Sequence, residues 1–89
     1  LLADLAEMDW HRCADQEYLK LPEARHLSTA RLKNLLRWRL RVLGWQVPVA
    51  TRLDEFVRQL QSSGPDRHPA LVLPGGQMQV KGQRLHWTA

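Results

Sequence analysis

Lys33, Arg37 and Arg41 recur at steps of four residues. On a helix, residues four apart stand one turn above another, so the three make one basic ridge, with Asn34 beside it. Like charges on successive turns repel, at roughly a few tenths of a kcal/mol per pair, and a polyanion lying along the ridge reverses the sign of that effect. A-form RNA is read mostly through its phosphates and 2′-hydroxyls, which suit Lys and Arg. The competing reading of the ridge is a solvated face. Arg39 falls elsewhere on the same wheel, in the middle of the apolar face made by Leu32, Leu35, Leu36, Leu40 and Leu43, while Trp38 points to the edge. A buried guanidinium needs a partner or must reach back to water. Asp54, Glu55 or an acid of the first helix is the expected partner; the alternative is that Arg39 overlies a groove open to ligand.

Other chemistry has no foothold in the residue spacing. His11, His26, His68 and His86 never fall four residues from one another or from Cys13, so no metal-binding signature is present. Cys13 lies on the inner side of the first helix, where a buried inert thiol is expected rather than a nucleophile. Gly75-Gly76 lacks the Lys and Ser/Thr of a phosphate-binding loop and sits between strand-like runs. The carboxylates, mostly in the first helix, are spaced outward and expected to be solvated. No catalytic residue and no metal ligand is assigned.

The elements that must position these residues follow from the periodicity. Residues 1–17 read as a helix with Leu1, Leu2, Leu5, Met8 and Cys13 on one side. Residues 18–27 are a connector in which Pro22 fits a first helical turn or a bend. Ser28-Thr29 offers a cap for a second helix over 29–43, stopped by Gly44, and Val47-Pro48 forces an extended link. A third helix over Ala50–Ser62 carries the apolar stripe Leu53, Phe56, Val57 and Leu60, with Asp54 and Arg58 as an outer i,i+4 pair. Ser62-Ser63-Gly64-Pro65 ends it. The period then changes to two: strands over Ala70–Leu73, Gln77–Lys81 and Arg84–Thr88, joined by Pro74-Gly75-Gly76 and by a two-residue turn at Gly82-Gln83. The expectation is an α+β domain, three helices followed by a three-stranded antiparallel meander, with Leu71, Leu73, Met78, Val80, Leu85 and Trp87 directed inward.

Eighty-nine residues make one small domain. No apolar run approaches the ~20 residues that span a bilayer, no secretory pattern is present, and a single cysteine fits a reducing compartment. Residues 1–24 carry six acids against Arg12 and Lys20, a net of −4; residues 25–89 carry eleven Lys and Arg against three acids, a net of +8. The division reads as an acidic lead-in helix and connector (1–26), a two-helix basic core (27–63) and antiparallel strands (69–88). A basic body attracts polyanions or simply keeps a soluble surface. The start at Leu1 and the stop at Ala89 read as cuts in a longer protein.

From Leu27 onward the order of residues is similar to a known family. Leu27-Ser28-Thr29-Ala30-Arg31, Asn34-Leu35-Leu36-Arg37, Leu40, Gly44, Val47-Pro48, Leu53, Val57-Arg58-Gln59-Leu60, Asp66, Pro69 and the closing hairpin resemble tRNA(Ile)-lysidine synthase, the TilS or MesJ family, in the substrate-recognition domain that follows the catalytic domain. The acidic lead-in looks like the helix leaving that catalytic domain. The resemblance implies a bacterial cytoplasmic ligase whose ATP-binding domain, with a Ser-Gly-Gly-x-Asp-Ser loop, adenylates the wobble cytidine of an isoleucine tRNA with a CAU anticodon before free lysine attacks. ATP, magnesium and lysine belong to that domain, and the loop is absent from these 89 residues. The present domain is then expected to hold the tRNA, with no cofactor of its own and no membrane contact; nothing in the sequence indicates an oligomer. The residues that resemblance and charge together nominate for RNA are Lys33, Arg37, Arg41, Arg31, Arg39, Lys81 and Arg84.

The chain departs from the family at three places. Arg39 stands where an inward Trp is common. Val49 replaces the Ser that caps the third helix, leaving Thr51 as a later cap. An Arg-Arg-Tyr run before the last strand is reduced to Val80-Lys81-Gly82, so Lys81 and Arg84 are the basic residues left there. Two rival readings remain: a winged-helix DNA-binding module, whose recognition helix would carry Asp54 and Glu55 toward phosphates, and an interaction or dimerisation domain presenting Trp10, Trp38, Trp45 and Trp87.

Overall fold

In a computed structural model of the chain, which describes residues 1–62, 64 and 67–89, Ser28 is extended and its hydroxyl accepts the backbone N–H of Arg31 at 3.2 Å. That cap opens a helix over Thr29–Val42. Gly44, at φ +77, closes it: its N–H reaches the Arg41 carbonyl and that of Trp45 reaches the Leu40 carbonyl, the paired bonds of a left-handed glycine stop. Past Val47-Pro48 a second long helix spans Ala50–Ser62 and buries Leu53, Phe56, Val57 and Leu60, as its stripe requires. Thr51 does not cap it. The helix already includes Thr51, and the Val49 carbonyl accepts from Arg52 and Leu53. The expected Asp54–Arg58 pair is also not formed: Arg58 binds Glu55, and Asp54 reaches across to Lys33.

The N-terminal quarter differs most from expectation. The first helix is α1 (Leu2–Cys13), four residues shorter than expected at its C-terminal end, because Ala14 is extended at φ −92, ψ 154. The chain then makes a hairpin of β1 (Ala14–Asp15) and β2 (Tyr18–Lys20), turning where Gln16 takes φ +56. A short helix, α2 (Leu21–Ala24), follows with Pro22 in its first turn. The two long helices are therefore α3 and α4. The face that α1 buries is Ala6, Asp9 and Cys13, whereas Leu1, Leu2 and Met8 are exposed. Of the expected inner residues Cys13 is buried and Leu5 partly so, and the buried face turns to include Asp9, which Arg31 of the next long helix holds inward.

The last third follows its alternation. Strands β3 (Ala70–Leu73), β4 (Gly76–Lys81) and β5 (Arg84–Thr88) form the expected antiparallel meander. Leu71, Leu73, Met78, Val80 and Leu85 are buried, and Trp87 packs partly buried against them. Gly82 and Gln83 both take positive φ, 56 and 62, the two-residue turn whose twist matches paired strands. The meander is not the whole sheet. Strand β2 pairs with β5 through Leu19↔Leu85 and Lys20↔Arg84, giving the order β1-β2-β5-β4-β3. Four helices and five strands, among the described residues, replace the expected three and three. The expected stop at Ser63 and Pro65 lies outside the described residues.

One core joins the layers: Leu19, Met78, Val80 and Leu85 from the sheet meet Leu32, Leu35, Leu36 and Leu40 of α3 and the stripe of α4. Trp45, in the α3–α4 link, lies over the β3–β4 turn. A Cβ at Gly75 would stand 2.9 Å from its Cγ, and one at Gly76 would stand 2.3 Å from the Thr88 carbonyl oxygen. The absence of side chains at that turn lets the indole seat.

Candidate nucleic-acid interface

Helix α3 runs between α1 and α4, and its cations divide by what lies opposite them. Arg31, near its N-terminus, faces α1. Its Nε and Nη2 donate to both oxygens of Asp9, a carboxylate with no solvent exposure. The hydrogen bond and charge of Asp9 raise the Arg31 pKa. Asn34 is engaged as well, its amide donating to the Leu2 carbonyl at 2.9 Å. Both residues thus fasten α1 to α3.

Lys33, Arg37 and Arg41 climb the helix as their spacing requires, but their surroundings differ. Lys33 is ion-paired with Asp54 of α4. Arg37 is half-buried and Arg41 exposed, and neither has an ion pair or hydrogen bond among the described residues.

Arg39 is half-buried, as its wheel position requires, and it has no hydrogen-bonded carboxylate among the described residues. Three of the acids expected to serve it are paired elsewhere: Asp9 with Arg31, Asp54 with Lys33, Glu55 with Arg58. Its partners are indoles instead. The guanidinium carbon lies 4.3 Å from the Trp10 ring centroid and 5.7 Å from that of Trp87, and Trp10 contacts Trp38 and Trp87 at 6.2 and 5.6 Å. Arg39 Nε and Trp87 Nε1 are buried with no hydrogen-bond partner among the described residues. Burial lowers the Arg39 pKa, opposed by the charge of Glu17. Trp10 and Trp87 therefore flank one arginine, with Trp38 against Trp10, and all three indoles are half-buried against the core rather than standing out as an exposed patch.

The remaining nominated cations stand on the sheet. Lys81 and Arg84 are cross-strand partners beside the β4–β5 turn, and Lys20 of β2 opposes Arg84 on its other side. The Arg84 guanidinium lies 4.8 Å from the Tyr18 ring centroid. Tyr18 donates to Asp15 at 3.0 Å, a bond that raises the phenol pKa, and its ring meets His86 at 5.5 Å. Lys20, Tyr18 and His86 were not singled out from sequence. The available signal was the alternation Tyr18-Leu19-Lys20, with its apolar residue in the middle, hidden in a segment read as a connector.

No group of three or more His, Cys, Asp and Glu is placed to hold a metal among the described residues. Cys13 is buried, and burial, aided by the charges of Asp9 and Glu23, raises its pKa and keeps the thiol protonated. In a winged-helix arrangement α4 would be the recognition helix, but its Asp54 and Glu55 are occupied in ion pairs and the sheet continues past the hairpin into β2 and β1.

The family described as TilS substrate binding domain matches residues 19–86 of this chain. A protein of Aromatoleum aromaticum named tRNA(Ile)-lysidine synthase is 42% identical over 76 residues, which cover 85% of this chain and 17% of that protein. Proteins of the same name from Nitrosomonas europaea and Alkalilimnicola ehrlichii are 40% and 34% identical over 76% and 97% of the chain, and 15% and 19% of their own lengths. The chain thus spans less than a fifth of these relatives. No solved structure matches it.

Proposed function

The chain belongs to the TilS substrate-binding-domain family, and from that premise we propose that it is the part of a tRNA(Ile)-lysidine synthase that grips tRNA by its backbone. The observation that carries the reading is the pair Arg37 and Arg41, one turn apart on α3, with no counter-ion among the described residues. Phosphates supply that counter-charge, and the counterions they release favour binding. Arg31 and Arg39 act behind this surface. The first holds α3 to α1, and the second is stacked in the tryptophan cluster. Lys33 contributes less than its neighbours because Asp54 already neutralises it.

On this reading the chemistry is performed elsewhere in the longer protein. An ATP- and magnesium-using domain adenylates the wobble cytidine of the CAU anticodon in isoleucine tRNA, and free lysine displaces AMP to give lysidine. The setting is the bacterial cytoplasm; no helix among the described residues is long and apolar enough to cross a membrane.

The test is tRNA affinity of the full-length protein over a series of salt concentrations. Arg37→Ala and Arg41→Ala should each lower affinity and reduce the slope of log K against log salt by somewhat under about 1 unit. Lys33→Ala should reduce it less. Isoleucine and other tRNAs should respond alike, because backbone contacts carry no sequence information. Unchanged affinity and slope in the Arg37→Ala/Arg41→Ala protein would sink the proposal.

A further inference from the structure

We propose that the solvent face of the sheet is a second RNA surface, specific for single-stranded segments, on which an unpaired base stacks against Tyr18 and His86 while Lys20, Lys81 and Arg84 hold the flanking phosphates. This rests on the reading of the domain as an RNA binder and extends it from duplex backbone to unpaired nucleotides.

Strand alternation builds the surface. With Leu19, Met78, Val80 and Leu85 buried, their neighbours along the strands turn outward, and the pairing aligns them in rows. One row is Lys20, Arg84 and Lys81: Arg84 has a lysine directly opposite it on each adjacent strand. Like charges directly opposite destabilise a sheet, and none of the three is in an ion pair among the described residues. A polyanion lying across the strands converts that repulsion into attraction. Two residues along, on the same face, is the aromatic row. Tyr18 and His86 are in ring contact at 5.5 Å, and Gln79, the β4 partner of His86, extends the row with an amide able to meet a base edge. Asp15 fixes the Tyr18 hydroxyl, so the ring is held before any ligand arrives.

Arg84 links the two rows. Its guanidinium lies over the Tyr18 ring, a weak contact at an exposed site. When RNA docks, Arg84 moves onto a phosphate and uncovers the ring for a base. Stacking of this kind accepts any base, because every base offers a π-face. A duplex cannot use the site, since its bases are already stacked on one another.

The experiment compares the full-length protein with a Tyr18→Leu/His86→Leu variant and a Lys20→Gln/Lys81→Gln/Arg84→Gln variant, using a tRNA transcript and a fully paired RNA duplex as probes over several salt concentrations. The stacking variant should bind tRNA about tenfold more weakly with its salt slope unchanged, and bind duplex as before. The charge variant should lower the salt slope on tRNA. Tyr18→Phe/His86→Phe, which keeps both rings, should retain tRNA affinity and guards against a folding defect in the leucine pair. Tight tRNA binding untouched by the stacking and charge variants overturns the sheet-face inference and leaves the α3 reading standing, as does an equal loss on duplex. Failure of the wild-type protein to bind tRNA overturns both.

Discussion

Asp9 and Arg31 join α1 to α3 through two side-chain hydrogen bonds, and the two ends of the pair sit in different surroundings: the carboxylate has no exposure, whereas the Arg31 side chain keeps 40% of its own. Removing one partner of a buried pair costs most when the group left behind cannot reach water. Arg31→Ala strands Asp9 and should lower the melting temperature of the chain by about 10 °C or more. Asp9→Ala strands a guanidinium that can turn to solvent and should cost clearly less. The Asp9→Leu/Arg31→Met double variant should recover most of the loss. Thermal melts of the three, followed by circular dichroism, check the order; equal losses in the two single variants would refute the asymmetry.

Arg39 tests whether the tryptophan cluster needs a cation. Arg39→Met keeps an apolar chain over Trp10 and removes an Nε–H that has no acceptor. The lost cation–π contact and the relieved desolvation nearly offset, so stability should stay within about 1 kcal/mol of wild type. Arg39→Ala, which also removes the packing, should be less stable than Arg39→Met. Urea titrations read by indole fluorescence distinguish them; a large loss in Arg39→Met would mean that the charge itself organises the three indoles.

The glycines of the two turns around Trp45 should rank by what their Cβ would meet. Gly44→Ala meets no atom within 4 Å and suffers only from φ +77, a cost of about 1 kcal/mol. Gly76→Ala drives a methyl into the Thr88 carbonyl oxygen and the Trp45 ring and should destabilise by about 3 kcal/mol or more, among the largest effects of single substitutions. Calorimetry of the two variants settles the ranking, and a milder effect at Gly76 would show that the β3–β4 turn can open without cost.

What the sequence made legible was local. The bounds of α4, β3 and β5 follow from an unbroken apolar stripe and from alternation closed by two-residue turns. Strands β1 and β2 escaped because two- and three-residue strands carry no readable period, and β2 owes its conformation to β5, far along the chain. The buried face of α1 was legible at Cys13 but not at Asp9, which is inward with Arg31 as its partner. On α3, spacing aligns Lys33, Arg37 and Arg41 along one helix and the wheel turns Arg39 partly inward. That Asp54 takes Lys33, and that indoles serve Arg39, depended on which acids other elements had already claimed.

The sheet order places β2 against β5, so the second of the described strands to be made is completed only by the fifth. On the ribosome, β2 therefore leaves the exit tunnel long before its partner exists, and Leu19 has no mate until Leu85 emerges. The helices share contacts that are available sooner, which favours a helical half forming first while the early hairpin waits. A stalled or prematurely ended chain lacking β5 would expose Leu19 and Met78 together beside an open strand edge, a surface that invites self-association. Strand β5 thus acts as the clasp that ends this period of greatest vulnerability.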